Sequence, residues 1–405
     1  MDAVLSAAAH ALDTGDVLSA LKRVALREDA AALALRGIAL ARLGDLARAR
    51  ELLRRAAHAF GSRQGLGRAR CWLAEAEIAL QLRELRGVEA SLRRARRALS
   101  QQGDGANEQY ADCLLVQTLL LQKRFDAAER ALAALGPPRR PLLALRLQLL
   151  RTELGVRTLR VASANAALRR AGALAKKLGI GSLLREVSAW QATLAAPAAR
   201  LRSGADSRTL SLRELERLLD SKNLWLVDVT RRSLRVAGSE LSLATRPVLF
   251  ALLRSLTESW PEATPRKSLI EGAFGVVRSN DSHRARLRVE IGRLRRALGA
   301  AGSIGATTDG FLLSPSGSRR ALLLTPPHDG EQAELVALLS DGEAWSSSAL
   351  ALAVGRSQRS VQRALLGLLE AGQVLSEGRG RAQRWRPARA PFTTPMLLAT
   401  DLVAG

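Results

Sequence analysis

The sequence predicts a mainly α chain: a long run of paired helices followed by two small α+β modules. Three observations lead there. Apolar residues recur three and four apart through the first 200 positions, with no strand-like alternation. Hydrophobic residues make up 47% of the chain but aromatics only 3%, so its cores are built from Leu, Ala and Val, a mixture that loses little freedom in a helix. Beyond Leu224, short strand-like segments and turns alternate with helical ones. The expected organisation is helical repeats over 1–200, a linker over 201–223 with one short helix at 211–220, a first module over 224–314, a second linker over 315–330, a second module over 331–390 and a tail over 391–405.

Stacking the segments of the first half brings out a repeat. Leu46-Ala47-Arg48-Ala49 leads into Leu52-Leu53, Leu85-Arg86-Gly87-Val88 into Ser91-Leu92, Phe125-Asp126-Ala127-Ala128 into Ala131-Leu132, and Val161-Ala162-Ser163-Ala164 into Ala167-Leu168. The leading residues stand 39, 40 and 36 positions apart, and Gly15-Asp16-Val17 begins an earlier, irregular copy. A helix such as 31–43 precedes each lead, joined by a tight turn such as Gly44-Asp45, and small residues let the two helices approach closely. With Gly37, Leu43-Gly44, Leu46, Ala49 and Ala56 in place, the unit over 34–59 resembles a tetratricopeptide repeat. The resemblance implies an α-solenoid, a curved stack with a groove for a protein or peptide.

The first module reads as strands at 224–228, 233–236 and 240–243, then helices at 246–259, 266–274 and 282–298, then a hairpin. Asn280-Asp281-Ser282 offers caps for the third helix and Gly299 stops it. Leu287, Ile291, Leu294 and Leu298 share its inward face. Arg284, Arg286, Arg288, Arg293, Arg295 and Arg296 stand within thirteen positions against one acid, Glu290. Guanidinium forks of this kind suit guanine edges and phosphates. Leu241-Ser242-Leu243-Ala244-Thr245-Arg246, Arg293-Leu294-Arg295-Arg296-Ala297-Leu298 and Gly310-Phe311-Leu312-Leu313 give the stretch a resemblance to the DNA-binding domain of OmpR/PhoB-type response regulators. That resemblance implies a winged helix-turn-helix with residues 282–298 in the major groove and the hairpin as a wing on the adjacent minor groove. The hairpin tip, Gly305-Ala306-Thr307-Thr308-Asp309, departs from the family by lacking an arginine and holding an acid, and Ala285 replaces a residue that is often basic. No receiver domain precedes the module, since residues 1–200 lack βα alternation and an acidic cluster.

The second module reads as helices at 331–339, 346–354 and 357–371, then strands at 373–376 and 382–385 around the basic tip Gly378-Arg379-Gly380-Arg381. Its order is similar to the compact winged helices of many bacterial repressors. Gln358, Arg359, Gln362 and Arg363 would then face bases or phosphates, with Arg379 and Arg381 on the wing, while Leu365, Leu368 and Leu369 pack inward.

The net charge of +24 favours a polyanionic partner, but residues 1–200 carry 33 basic and 18 acidic residues against 29 and 20 in the remainder. Global charge is therefore weak support for DNA, and local pattern must carry it. Cys71 and Cys113 sit among apolar residues and read as small buried hydrophobes, not a disulfide framework. No apolar run is long enough to span a membrane, and the start of the chain lacks a basic signal, so cytoplasmic residence is expected. There is no phosphate loop, zinc-spaced cysteine pair or assembled triad, so neither enzymatic activity nor a metal or cofactor is expected. The expectation is a sequence-specific DNA-binding transcription regulator taking protein or peptide input on its repeats. The alternative is a non-catalytic interaction scaffold whose modules bind proteins.

Overall fold

Helices buried nearly all round alternate with amphipathic ones through the first half of the chain, and that alternation sorts them into an inner and an outer layer. The computed structural model describes residues 2–61, 64–82, 84–221, 223–275, 280–327, 330–339, 345–354, 356–378, 380 and 383–387. It is mainly helical, with small β-sheets towards the C-terminus. Two units divide between Leu194 and Ala195.

In the first unit the helices are α1 (Ala3–Asp13), α2 (Val17–Val24), α3 (Ala30–Leu43), α4 (Leu46–Phe60), α5 (Gly65–Gln81), α6 (Val88–Gln101), α7 (Gly105–Leu121), α8 (Phe125–Ala134), α9 (Pro141–Arg157), α10 (Val161–Leu178) and α11 (Gly181–Ala195). Small residues set the spacing within pairs. A Cβ on Gly37 of α3 would lie 2.9 Å from Leu53 Cγ of α4, and one on Gly155 of α9 would lie 2.9 Å from Ala164 Cβ of α10. A left-handed residue starts the turn into α4, α8 and α10: Gly44, Lys123 and Leu159. The second helix of the pair α5–α6 starts at Val88, behind a left-handed Gly87. The sequence alignment of that copy on Leu85 is therefore three residues early, because the turn there is longer.

No residue of α5 or α7 is exposed, although α5 carries Arg68, Arg70, Glu75 and Glu77 and α7 carries Glu108 and Asp112. Several of the polar groups they bury find partners: Arg70 Nε donates to Asp104 at 2.7 Å, the Tyr110 hydroxyl to Glu77, and Arg146 of α9 to Gln117 Oε1 at 2.6 Å. Cys71 and Cys113 are free and buried, and burial pushes both thiols up to about 12. Among the described residues no helix is long and apolar enough to cross a membrane.

The second unit begins earlier than its sequence boundary. Strands β1 (Pro197–Ser203) and β2 (Asp206–Ser211) occupy the stretch expected to be a linker, and helix α12 (Leu212–Asp220) falls on the short helix expected within it. Then come β3 (Trp225–Asp228), β4 (Ser233–Val236), β5 (Ser239–Ser242), α13 (Pro247–Ser259), β6 (Thr264–Pro265), α14 (Arg266–Phe274), α15 (Asp281–Leu298), β7 (Gly302–Ala306), β8 (Gly310–Pro315) and β9 (Leu322–Thr325). The last lies in the second expected linker. These pieces join one six-stranded sheet of order β2-β1-β9-β3-β4-β5. Strand β9 runs parallel to β3 with Val227 opposite Leu323, and antiparallel to β1 with Leu201 opposite Leu324. Both linker assignments are thus corrected. Alternating residues give the reason: Trp225, Val227 and Leu323 face the helices α13–α15, while Leu224, Leu226 and Leu324 face a second small core with Leu201, Leu210 and the leucines of α12.

Strands β6, β7 and β8 form a separate three-stranded sheet. Gly310 sits where β8 crosses β6, and a Cβ there would stand 1.9 Å from Thr264 O. Gly310→Ala should therefore force the pair apart and cost about 1–3 kcal/mol. Urea unfolding of the wild type and the variant checks this; equal midpoints would show that the crossing tolerates a side chain.

The end of the unit holds α16 (Gly330–Leu339), α17 (Ser347–Val354), α18 (Gln358–Glu370), β10 (Val374–Glu377) and β11 (Arg384–Pro387). Its core gathers Leu335, Leu339, Leu350, Val361, Leu365, Leu368 and Trp385. Trp345 and Trp385 exchange backbone hydrogen bonds of 2.8 and 2.7 Å, and Trp385 Nε1 donates to Ser347 Oγ. Leu365 and Leu368 point inward as expected, but Leu369 is exposed, because it lies beyond the edge of the apolar stripe.

Candidate nucleic-acid interface

Helix α15 is fixed at both ends. Asn280 Oδ1 accepts from the His283 N–H at 3.0 Å, His283 Nδ1 accepts from the Asn280 N–H at 3.3 Å, and the His283 ring stacks near Phe274. Leu287, Ile291, Leu294 and Leu298 are buried against α13, α14 and the sheet. That docking leaves Arg284, Arg286, Arg288, Arg293, Arg295 and Arg296 all exposed.

Five of the six form two ridges. By helical spacing Arg286 and Arg293 lie along one flank, and Arg284, Arg288 and Arg295 along the other. Contacts hold the first ridge beside the helices. The Arg286 guanidinium lies 4.5 Å from the Phe274 ring centre, and Arg293 Nη1 donates to the buried Glu290 carboxylate at 2.8 Å. The second ridge is beside the hairpin, where Arg295 Nε donates to Ile304 O at 2.8 Å. Arg284 pairs loosely with Asp281 at 3.4 Å. Among the described residues Arg288 and Arg296 take part in no ion pair. Arg296 stands between the ridges.

Two further arginines join the site that the sequence reading passed over. Arg246, at the start of α13, lines a cavity of about 620 Å³ with Glu290, Arg293 and Arg296. Arg266, at the start of α14, reaches the hairpin tip that lacks an arginine of its own. Its guanidinium donates to Thr308 O at 2.5 Å and to Thr307 O at 2.9 Å, and lies 5.6 Å from the Phe311 ring centre. The partners are 41 and 42 positions away, so only the pairing of β6 with β8 brings them together. An arginine just after a short strand that meets the hairpin was the available signal.

On α18 the Ser357 hydroxyl accepts from the Ser360 N–H at 3.2 Å and starts the helix. Gln358, Arg359, Gln362 and Arg363 are exposed there, on a helix whose core is separate from that of α15. Arg379 and Arg381 lie outside the described residues. Gly378 and Gly380 both adopt left-handed backbone between β10 and β11.

Chemically, α15 offers charge-assisted donors in quantity. Among the described residues no group of three or more His, Cys, Asp or Glu is placed to hold a metal ion. No protein-family model matches the sequence, and neither a curated protein nor a solved structure matches it.

Proposed function

We propose that this protein is a sequence-specific DNA-binding regulator of transcription whose recognition helix is α15. The observation that carries the reading is the placement of six exposed arginines on one buried-backed helix, five as two ridges on either side of a narrow strip and Arg296 on the strip itself. A helix of this width fits the major groove, and ridges on both flanks can meet the phosphates of both strands while the strip faces base edges. On this reading α13–α15 with the β7–β8 hairpin act as a winged helix, and α16–α18 with β10–β11 as a second one. The acid at the first hairpin's tip, Asp309, and the half-buried Arg266 beneath it favour a wing that braces the domain over one that inserts into the minor groove. The second module adds affinity by raising effective concentration on adjacent DNA. The helix pairs of the first unit act as a solenoid that offers its outer, charged surface to a protein or peptide, since no residue of α5 or α7 is exposed. Residence in the cytoplasm and the absence of catalysis belong to the same reading.

A footprint on genomic fragments tests it. The expected result is protection of discrete sites by the full-length chain; retention of fragments without any sequence preference would contradict regulation of specific promoters.

A further inference from the structure

The strip between the ridges has its own composition. Ala285, Val289, Gly292 and Arg296 are spaced four, three and four apart, which puts them on one line of α15 opposite the buried leucines. Three of the four are small or apolar on a helix whose exposed flanks are otherwise charged. Val289 is 54% exposed, the only large apolar side chain among those exposed on this helix. Neither it nor Gly292 is there for stability. An exposed β-branched residue is a poor helix former, and a glycine inside a helix is about 1 kcal/mol worse than alanine. Packing does not demand the glycine either, because a Cβ at Gly292 would meet nothing within 4 Å. A helix that gives up intrinsic stability at these positions, between two ridges of arginine, is shaped for close approach by something outside the domain.

We infer that this strip is the base-reading surface and that Val289 recognises the 5-methyl group of thymine. The inference rests on the DNA-binding reading and names what that site selects. The ridges are polar and suit phosphates and guanine edges, whereas the apolar feature exposed on the floor of the major groove is the thymine methyl. Gly292 lets the helix backbone settle towards the bases, and Ala285, about 6 Å along the axis from Val289, leaves room for the neighbouring base pairs. Arg296 closes the strip with a fork for guanine.

The test uses the full-length chain and a duplex that it enriches from a random pool. Each thymine of that duplex is replaced in turn by deoxyuridine, which removes only the methyl. At one position the wild type should lose about fourfold in affinity, the equivalent of ~0.8 kcal/mol for one buried methyl. Val289→Ala should bind the thymine duplex about fourfold more weakly and no longer distinguish the two bases there, with thermal unfolding unchanged. If no thymine responds, or Val289→Ala still distinguishes thymine from deoxyuridine, the inference is overturned while DNA binding stands. If the pool yields no enriched duplex, the DNA-binding reading falls and the inference with it.

Discussion

Replacing Arg288 and Arg296 together by alanine is expected to weaken duplex binding by about 30-fold to 10,000-fold while leaving unfolding of the chain unchanged. A well-placed arginine contact to a base is worth about 1–3 kcal/mol, so two supply ~2–6 kcal/mol. The choice of residues follows from their surroundings. Both side chains are exposed and neither takes part in an ion pair among the described residues, so their loss should move stability by no more than ~0.5 kcal/mol. The ridge of Arg286 and Arg293 is a poorer target. Arg293 neutralises Glu290, which is only 9% exposed, and truncating it leaves a buried carboxylate without its partner. Arg286 covers Phe274, so its loss also removes a cation–π contact. Titration of the enriched duplex by fluorescence anisotropy, beside a thermal melt, separates the two effects. Unchanged affinity in the Arg288→Ala, Arg296→Ala double variant would remove α15 as the reader.

Trp225→Ala should produce the largest loss of stability. The ring is fully buried in the core that backs α15, and its Nε1 donates to Ala301 O at 2.9 Å, tying β3 to the turn after the arginine helix. Removing a buried tryptophan costs about 3–5 kcal/mol, a large part of the 5–15 kcal/mol that holds a domain together. The expected result is early unfolding of residues 195–327, followed by hydrogen exchange, with α15 losing protection at the same time as β3. Trp225→Phe keeps most of the buried area and should recover much of the loss. If Trp225→Ala exchanged like the wild type, the tryptophan would not be the link between sheet and helix.

The helices were legible in the sequence because their signals are local. Asn280 caps α15, Ser357 caps α18, and the spacing of Leu287, Ile291, Leu294 and Leu298 reappears as a buried stripe. The leads at Leu46, Phe125 and Val161 are the first residues of α4, α8 and α10. What escaped depends on partners far along the chain. Leu322-Leu323-Leu324 is too short to be told apart as strand or helix, and the prolines and glycines around it read as a linker. It becomes a strand because it slots between β1 and β3, more than 90 residues before it. Strands β1 and β2 escaped for the same reason, since alternation such as Arg200-Leu201-Arg202 is brief and gains meaning only beside β9. At the candidate site the arginines of α15 were visible as a pattern, and so was the inward face. Arg246 and Arg266 were not, because each arrives from another helix start. The burial of Arg70, Glu77 and Arg146 was hidden too, because their partners lie on other segments of the chain.

The most direct test of DNA binding through charged contacts is the affinity of the full-length chain for duplex DNA across a salt series. Six arginines on α15, with others on α18, predict firm binding at about 50 mM salt and a slope of log K against log salt steeper than about −3, from at least three or four phosphates neutralised. Absence of duplex binding at that salt, or affinity independent of salt, would contradict the account.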